Sequence, residues 1–207
     1  MEKKSDFPYL HGFSKEEQER LRKQASFTEH SIYSRIDFSE FTNLLEVGCG
    51  VGAQSEILLR RFPNIEKLTG IDINDNQLNA CKQFLANIDY AKNRYEIHKM
   101  DATSLSFKSG QFDGAFLCWV LEHMSDPLQV LAEVRRVVRP GGQVVVNEVM
   151  NSSFFLDPYS PGVWQFWTAF NDYQLEIGGD PFVGMKLGNL LLTLGFRDIK
   201  TEIVTWH

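Results

Sequence analysis

The chain has 207 residues, 43% hydrophobic and 23% charged, enough to bury one sizeable core within a single domain. A net charge of −6 excludes the dense Lys/Arg footprint of a nucleic-acid binder. No apolar run approaches the ~20 residues that span a bilayer, and no signal peptide opens the sequence.

In chain order, Ser14-Lys15-Glu16-Glu17 forms a capping box, with Ser14 as N-cap and Glu17 at N3. It predicts a charged helix to about Lys23, braced by Glu16–Arg20 and Glu19–Lys23 pairs. That helix has few core residues, so residues 1–39 are expected to be a surface cap or lid over a domain at 40–207. From residue 43 strand and helix signals alternate, which predicts an α/β fold with a doubly wound, mostly parallel sheet. Strands are expected at 43–47, 67–73, 95–100, 112–119, 143–149 and 198–205. The intervening helices fall at 53–62 and 75–87, then after Asp126-Pro127, where Asp caps and Pro fills N1. A last helix is expected at 183–194, with Gly195 just past its end. Arg135, Arg136 and Arg139 read as cations favoured at the end of the Asp126-capped helix. Cys49, Cys81 and Cys118 are odd in number and lack metal-ligand spacing, so reduced thiols in a cytoplasmic location are expected.

The chemistry is written at residues 44–52, Leu-Leu-Glu-Val-Gly-Cys-Gly-Val-Gly. A buried strand ends in a Gly-rich turn that opens directly into a helix, whose first N–H groups are unpaired. Glu46 discriminates among ligands, because a carboxylate two residues before Gly48 repels a pyrophosphate and suits a cofactor with a cationic end. The spacing Gly48-x-Gly50-x-x-Ala53, with Asp72 about 20 residues on, also satisfies the dinucleotide fingerprint. Glu46, Gly52, Asp101 and the Arg139-Pro140-Gly141-Gly142 turn together favour a different reading. They resemble the class I S-adenosylmethionine-dependent methyltransferases, in the small-molecule branch that includes quinone-biosynthesis C-methyltransferases. The resemblance covers about residues 40–150.

The resemblance implies S-adenosylmethionine held along Gly48, Gly50 and Gly52, with Glu46 toward its cationic end. Asp72, at the end of the second strand, would accept from the ribose hydroxyls, with Ile73 and Gln77 beside it. Asp101 and Ala102 occupy the place that receives the adenine amino group, and Cys118 the place whose backbone carbonyl holds the ammonium. Tyr9 and His11 lie in an N-terminal region that often folds over the cofactor in this family, and Gln54 stands at the rim. His123 follows the fourth strand, where it serves either as a general base or as a loop-orienting histidine.

Residues 150–182 interrupt the alternation and carry Phe154, Phe155, Tyr159, Trp164, Trp167, Phe170 and Tyr173. Trp164, Trp167 and Phe170 have helical spacing, which fits core packing; in this family such insertions shape the acceptor pocket, and aromatic walls suit a flat or apolar acceptor. Expected function is methyl transfer to a small molecule by in-line attack on the sulfonium methyl, with no nucleic-acid or membrane partner and an assembly compatible with a dimer. A cofactor-binding partner subunit without turnover is the alternative. A full sheet of this family has seven strands, the last antiparallel beside the fifth. Six are counted here, so the seventh slot is expected to belong to a longer parent chain, a partner, or residues 150–182.

Overall fold

The structure is a computed structural model that describes residue 12 and residues 14–205. Five strands form one sheet: β1 (Asn43–Val47), β2 (Lys67–Asp72), β3 (Tyr95–Lys99), β4 (Phe112–Cys118) and β5 (Val138–Asn147). Their order is β3-β2-β1-β4-β5, and every pairing is parallel. After β1 the chain winds outward through β2 and β3, then returns to β1's other side for β4 and β5. The direction of winding reverses between β1 and β4, and a crevice opens there beyond their C-terminal ends.

Successive side chains of a strand point to opposite faces, and that alternation decides which helices cover the sheet. Leu44 of β1, Leu68 of β2 and Phe116 of β4 pack with Tyr33, Phe38, Ile57 and Leu58, under α1 (Lys15–Tyr33) and α2 (Ala53–Arg61). Leu45, Val47, Ala115 and Leu117 face the other way, onto Val130, Leu131, Val134 and Val137 of α4 (Pro127–Val137). A third cluster, with Leu78, Cys81 and Leu85 of α3 (Asp75–Ala86), closes the sheet beside Cys49 and Ile97. The remaining helices are α5 (Pro161–Glu176) and α6 (Leu187–Thr193).

Local signals place most of these elements where the sequence puts them. Ser14 caps α1 by accepting from the Glu17 N–H, and Asp126 caps α4 by accepting from Gln129, with Pro127 in the first turn. Four expectations are corrected. α1 runs on to Tyr33, because Ala25, Thr28, Ile32 and Tyr33 recur at helical spacing and bury against the α2 side. Its Arg20 pairs with Glu17 at 2.7 Å, one residue closer than the expected Glu16. The final helix splits into a 3₁₀ turn (Val183–Lys186) and α6, since the turn lets the Gly184 N–H donate to the Val149 carbonyl at 3.0 Å.

The largest correction is to the sheet. Residues 198–205 form no strand; their neighbour would have to supply ladder partners, and among the described residues none does. Residues 150–182 contribute α5 and not a strand, so five parallel strands and no antiparallel one are present among the described residues. Within those residues, no helix is long and apolar enough to cross a membrane, and no cluster of His, Cys, Asp or Glu could hold a metal ion.

Candidate active site

A cavity of about 870 Å³ opens at the crevice between β1 and β4. Its floor is the turn after β1. Gly48 and Gly50 both have positive φ, +71° and +49°, a region that side chains rarely adopt. Their reasons differ. A Cβ on Gly48 would lie 2.4 Å from a methyl of Val120, whereas one on Gly50 would meet nothing within 4 Å. Gly48 thus permits close packing of two loops, and Gly50 leaves open space in the cavity floor. Gly52, also at positive φ, begins α2 with no side-chain cap.

Asp72 ties this floor to the next strand. One carboxylate oxygen accepts the Gly50 N–H at 3.0 Å and the other the Asn74 N–H at 2.9 Å. Burial pushes its carboxyl up, opposed by those backbone bonds. Asn74 itself caps α3, so Asp72 is left to serve the floor of the cavity. Gln77 follows on α3, 4% exposed, and its Oε1 is buried with no partner among the described residues. Ile73 is 40% exposed and contributes to two cavities, the main one and a smaller neighbour of about 50 Å³.

The smaller cavity is finished by Asp101 and Ala102, and shares Gly48, Asp72 and Val120 with the larger one. Asp101 accepts from the Thr103 N–H and hydroxyl at 2.8 and 2.7 Å, both on Oδ1. The second oxygen takes no part in that turn.

Opposite the floor, β4 ends in Cys118 and is followed by Trp119, both lining the main cavity. Burial pushes the Cys118 thiol well up, and Asn147 donates to its sulfur at 3.5 Å. Trp119 holds φ +56°, an uncommon backbone for so bulky a residue, fixed by its N–H bond to the Asn147 carbonyl. Beyond it, Glu148 accepts the Val120 and Leu121 N–H groups at 2.8 and 2.7 Å. Burial pushes the Glu148 carboxyl up to about 8, with the Glu122 charge adding to the shift. His123 lines the cavity next door, its Nε2 3.7 Å from Glu122 Oε1.

Two further walls come from outside the sheet. Arg20, Leu21 and Gln24 of α1 stand on one side; Asn151, Trp167 and Phe170 stand on another. Trp167 and Phe170 are stacked with centroids 5.7 Å apart, and Trp167 donates its indole N–H to the Asn151 carbonyl. Trp164 does not reach the cavity and packs on Phe154 instead. Gln54, expected at the rim, is there, and Tyr33 donates its hydroxyl to it at 2.7 Å.

Two expected residues sit elsewhere. Gly52 lines neither cavity; a Cβ there would lie 2.8 Å from the Cys81 sulfur, so the loop packs on α3 at this point. Glu46 does not line the cavity; it is 2% exposed on the α2 side of β1, where the Ser55 hydroxyl donates to it. Burial raises its carboxyl to about 8, so it is largely neutral at pH 7. Tyr9 and His11 lie outside the described residues. Sequence reasoning missed Arg20, Gln24, Trp119, Glu148, Asn151 and Gln174. Of these only Trp119, directly after an apolar strand, carried a local signal.

The profile of the family described as "Methyltransferase domain" matches residues 45–146, which run from within β1 to within β5. Residues 45–146 carry that domain. It is the family that the pattern at 46–52 resembles, and the methyltransferase domain places its motif loop at the cavity floor. Methyltransferase GfsG of Streptomyces halstedii is 30% identical over 164 residues, 79% of this chain and 58% of that one. Demethylmenaquinone methyltransferase of Staphylococcus aureus is 28% identical over 173 residues, 81% of this chain and 68% of that one. A crystal structure of a SAM dependent methyltransferase from Aquifex aeolicus shares the fold, with a TM-score of 0.66, 18% identity, and coverage of 90% and 92%. The chain spans between 45% and 68% of the lengths of these curated relatives and of a further, uncharacterized one.

Proposed function

We propose that the chain binds S-adenosylmethionine across both cavities and directs transfer of its methyl group to a small, flat or apolar acceptor. One observation carries this reading. Two cavities meet at Gly48 and Asp72, a small one finished by Asp101 and Ala102, and a large one reaching His123, Trp167 and Phe170. The residues present fit the cofactor: Gly50 leaves room, and the partnerless Gln77 Oε1 awaits a donor. In this reading Asp72 accepts from the ribose, Ile73 covers the adenine face, and the second oxygen of Asp101 with the Ala102 backbone meets its edge. The Cys118 carbonyl would hold the ammonium, and Tyr9 would close from the N-terminal side. Glu46 would act through the strand beneath the floor and not by contact.

When bound, the cofactor supplies a sulfonium methyl that is already electrophilic. The chain's own task is to align, to exclude water and to take up a proton. Alignment in a near-attack geometry is worth on the order of 7–11 kcal/mol at best. Trp167 and Phe170 would hold the acceptor ring by its face, and His123 would receive the proton of an O–H or acidic C–H acceptor. A relative named for demethylmenaquinone, a flat apolar ring system, supports that acceptor class. The room in the large cavity beside His123, Trp167 and Phe170 favours turnover over a binding-only subunit. The Arg20 wall supports reading the first turns of α1 as a lid, while residues 25–38 join the core through Ala25, Ile32, Tyr33 and Phe38, and the three free cysteines suit a reducing compartment.

Calorimetry tests the first half. Each lost charge-assisted bond costs roughly 1.5–3 kcal/mol, so Asp72→Ala should weaken cofactor binding at least about tenfold. Unchanged affinity removes Asp72 from the site. Release of S-adenosylhomocysteine against a panel of small phenols, quinols and amines tests the second half; no turnover with any of them leaves only binding.

A further inference from the structure

The turn at Leu121–His123 leaves β4, and the chain returns to it some 50 residues later. Gln174 of α5, 1% exposed, donates from Nε2 to both the Glu122 carbonyl and Glu122 Oε2, at 3.1 and 3.0 Å. Just past α5, the Asp180 N–H donates to the same carbonyl at 2.7 Å. Gly179 approaches so closely that a Cβ there would lie 2.5 Å from that oxygen. Three contacts from the aromatic insertion therefore converge on the residue beside His123.

Packing alone does not account for a glutamine at this position. Its Oε1 is buried without a partner among the described residues, an unfavourable state that a methionine of similar size would avoid. The position keeps a donor at the expense of an orphaned acceptor. That donor is spent on a carboxylate whose other oxygen lies 3.7 Å from the His123 ring nitrogen.

We propose that Gln174 is a positioning residue that holds the Glu122 carboxylate ionised and turned toward His123, coupling the basicity of His123 to the docking of α5. The inference rests on the methyl-transfer reading above. A hydrogen bond to the charged form of a carboxyl favours that form, and an ionised Glu122 stabilises the imidazolium. An acceptor X–H then gives its proton to the His123 ring and keeps the electron pair for attack, while Glu122 balances the new positive charge. Among the described residues, the other ionisable groups around the pair are Glu148 just after β5, Cys118 at the end of β4, and Asp180, whose carboxylate is engaged by the Phe182 N–H and Lys186. Glu148 is largely neutral at pH 7, since burial takes it to about 8, so it adds little repulsion there.

The test is the ring titration of His123 by NMR on histidine-labelled protein, with and without S-adenosylhomocysteine. The chain has five histidines, and the His123→Asn variant assigns the signal. Gln174→Met should lower the His123 pKa by at least half a unit, with affinity for S-adenosylhomocysteine within twofold and an unchanged melting temperature. Glu122→Gln should lower it further, and Tyr173→Ala, exposed on the same helix, should leave it unmoved. An unmoved titration in folded Gln174→Met overturns the proposal. Should that variant not fold, Gln174→Asn, whose shorter arm withdraws the donor, is judged by the same criterion. Failure of the parent protein to bind S-adenosylhomocysteine sinks the methyl-transfer reading instead, and the titration without ligand still judges Gln174.

Discussion

At the motif-loop end of the cavity the surface is mostly backbone, shaped by the turns that follow the strands. Gly48 abuts Val120, and Asp72 bonds the N–H groups of Gly50 and Asn74. At the other end the cavity is walled by side chains, Trp167 and Phe170, on a helix tied to Glu122 by Gln174 and to the Asn151 carbonyl by Trp167. That insertion also carries exposed apolar groups, with Phe155 86% and Phe166 66% exposed. A site built on backbone geometry is fixed by the fold itself, whereas one built on side chains can change without disturbing the sheet. The first suits a constant ligand and the second a variable one.

The sharpest test of this division is the kind of damage a substitution does. His123→Ala, on the variable side, should lower kcat by about 10²–10⁴ with cofactor affinity preserved, as expected for loss of a general base. Loss of cofactor binding in that variant would return His123 to a purely structural role. On the constant side, Gly48→Ala should damage the fold itself. A clash at 2.4 Å and a left-handed backbone together should cost roughly 2–5 kcal/mol by overpacking and strain. A melting temperature equal to the parent's would break the contrast.

A third test crosses the two ends. Glu46 lies under the constant floor and Glu148 beside the variable wall, yet burial raises both carboxyls to about 8. Each is ionised in the unfolded chain above about 4.5 and neutral in the folded one, so the folded state binds more protons between those values. The ligand-free protein should be most stable at the acid side of that window and lose melting temperature as pH rises from about 5 to 8. Glu46→Gln and Glu148→Gln should each flatten the fall; a flat profile in the parent argues that a cation already neutralises them. The smallest effect concerns α1. Its first turns are charged and, apart from Glu17, exposed or half-buried, and local stability there should be low, so amide exchange over residues 15–24 should slow when cofactor binds. Equal exchange with and without ligand removes the lid.

The same division explains what the sequence disclosed. The bounds of β1 are those read from Asn43 to Val47, and β2, β3 and β4 each end within one residue of expectation, because an apolar run with its turn residues is local information. Asp72, Gly50 and Asp101 were legible for the same reason, being strand-end residues at fixed spacing from the motif. The extension of α1 through Ile32 and Tyr33 was not, since those residues are helical by virtue of packing on α2. Gln174 and Glu122 are 52 residues apart, and Glu148 and Val120 are 28 apart. Bonds across such distances leave no periodicity to read. Residues 198–205 look like a strand by composition, but a strand exists only where a neighbour offers its ladder.

The crowding at Gly48 bears on how this site could be re-engineered. With Val120 pressed against Gly48 and Asp72 bonded to the Gly50 backbone, the floor cannot itself retreat to accept a bulkier cofactor body. Slack exists only outward, toward Trp167 and Phe170, whose side chains are carried on a helix that no strand depends on. Synthetic cofactors that carry a larger transferable alkyl group should therefore be admitted by trimming those two rings. Analogues enlarged on the ribose side should be refused whatever is cut from the walls.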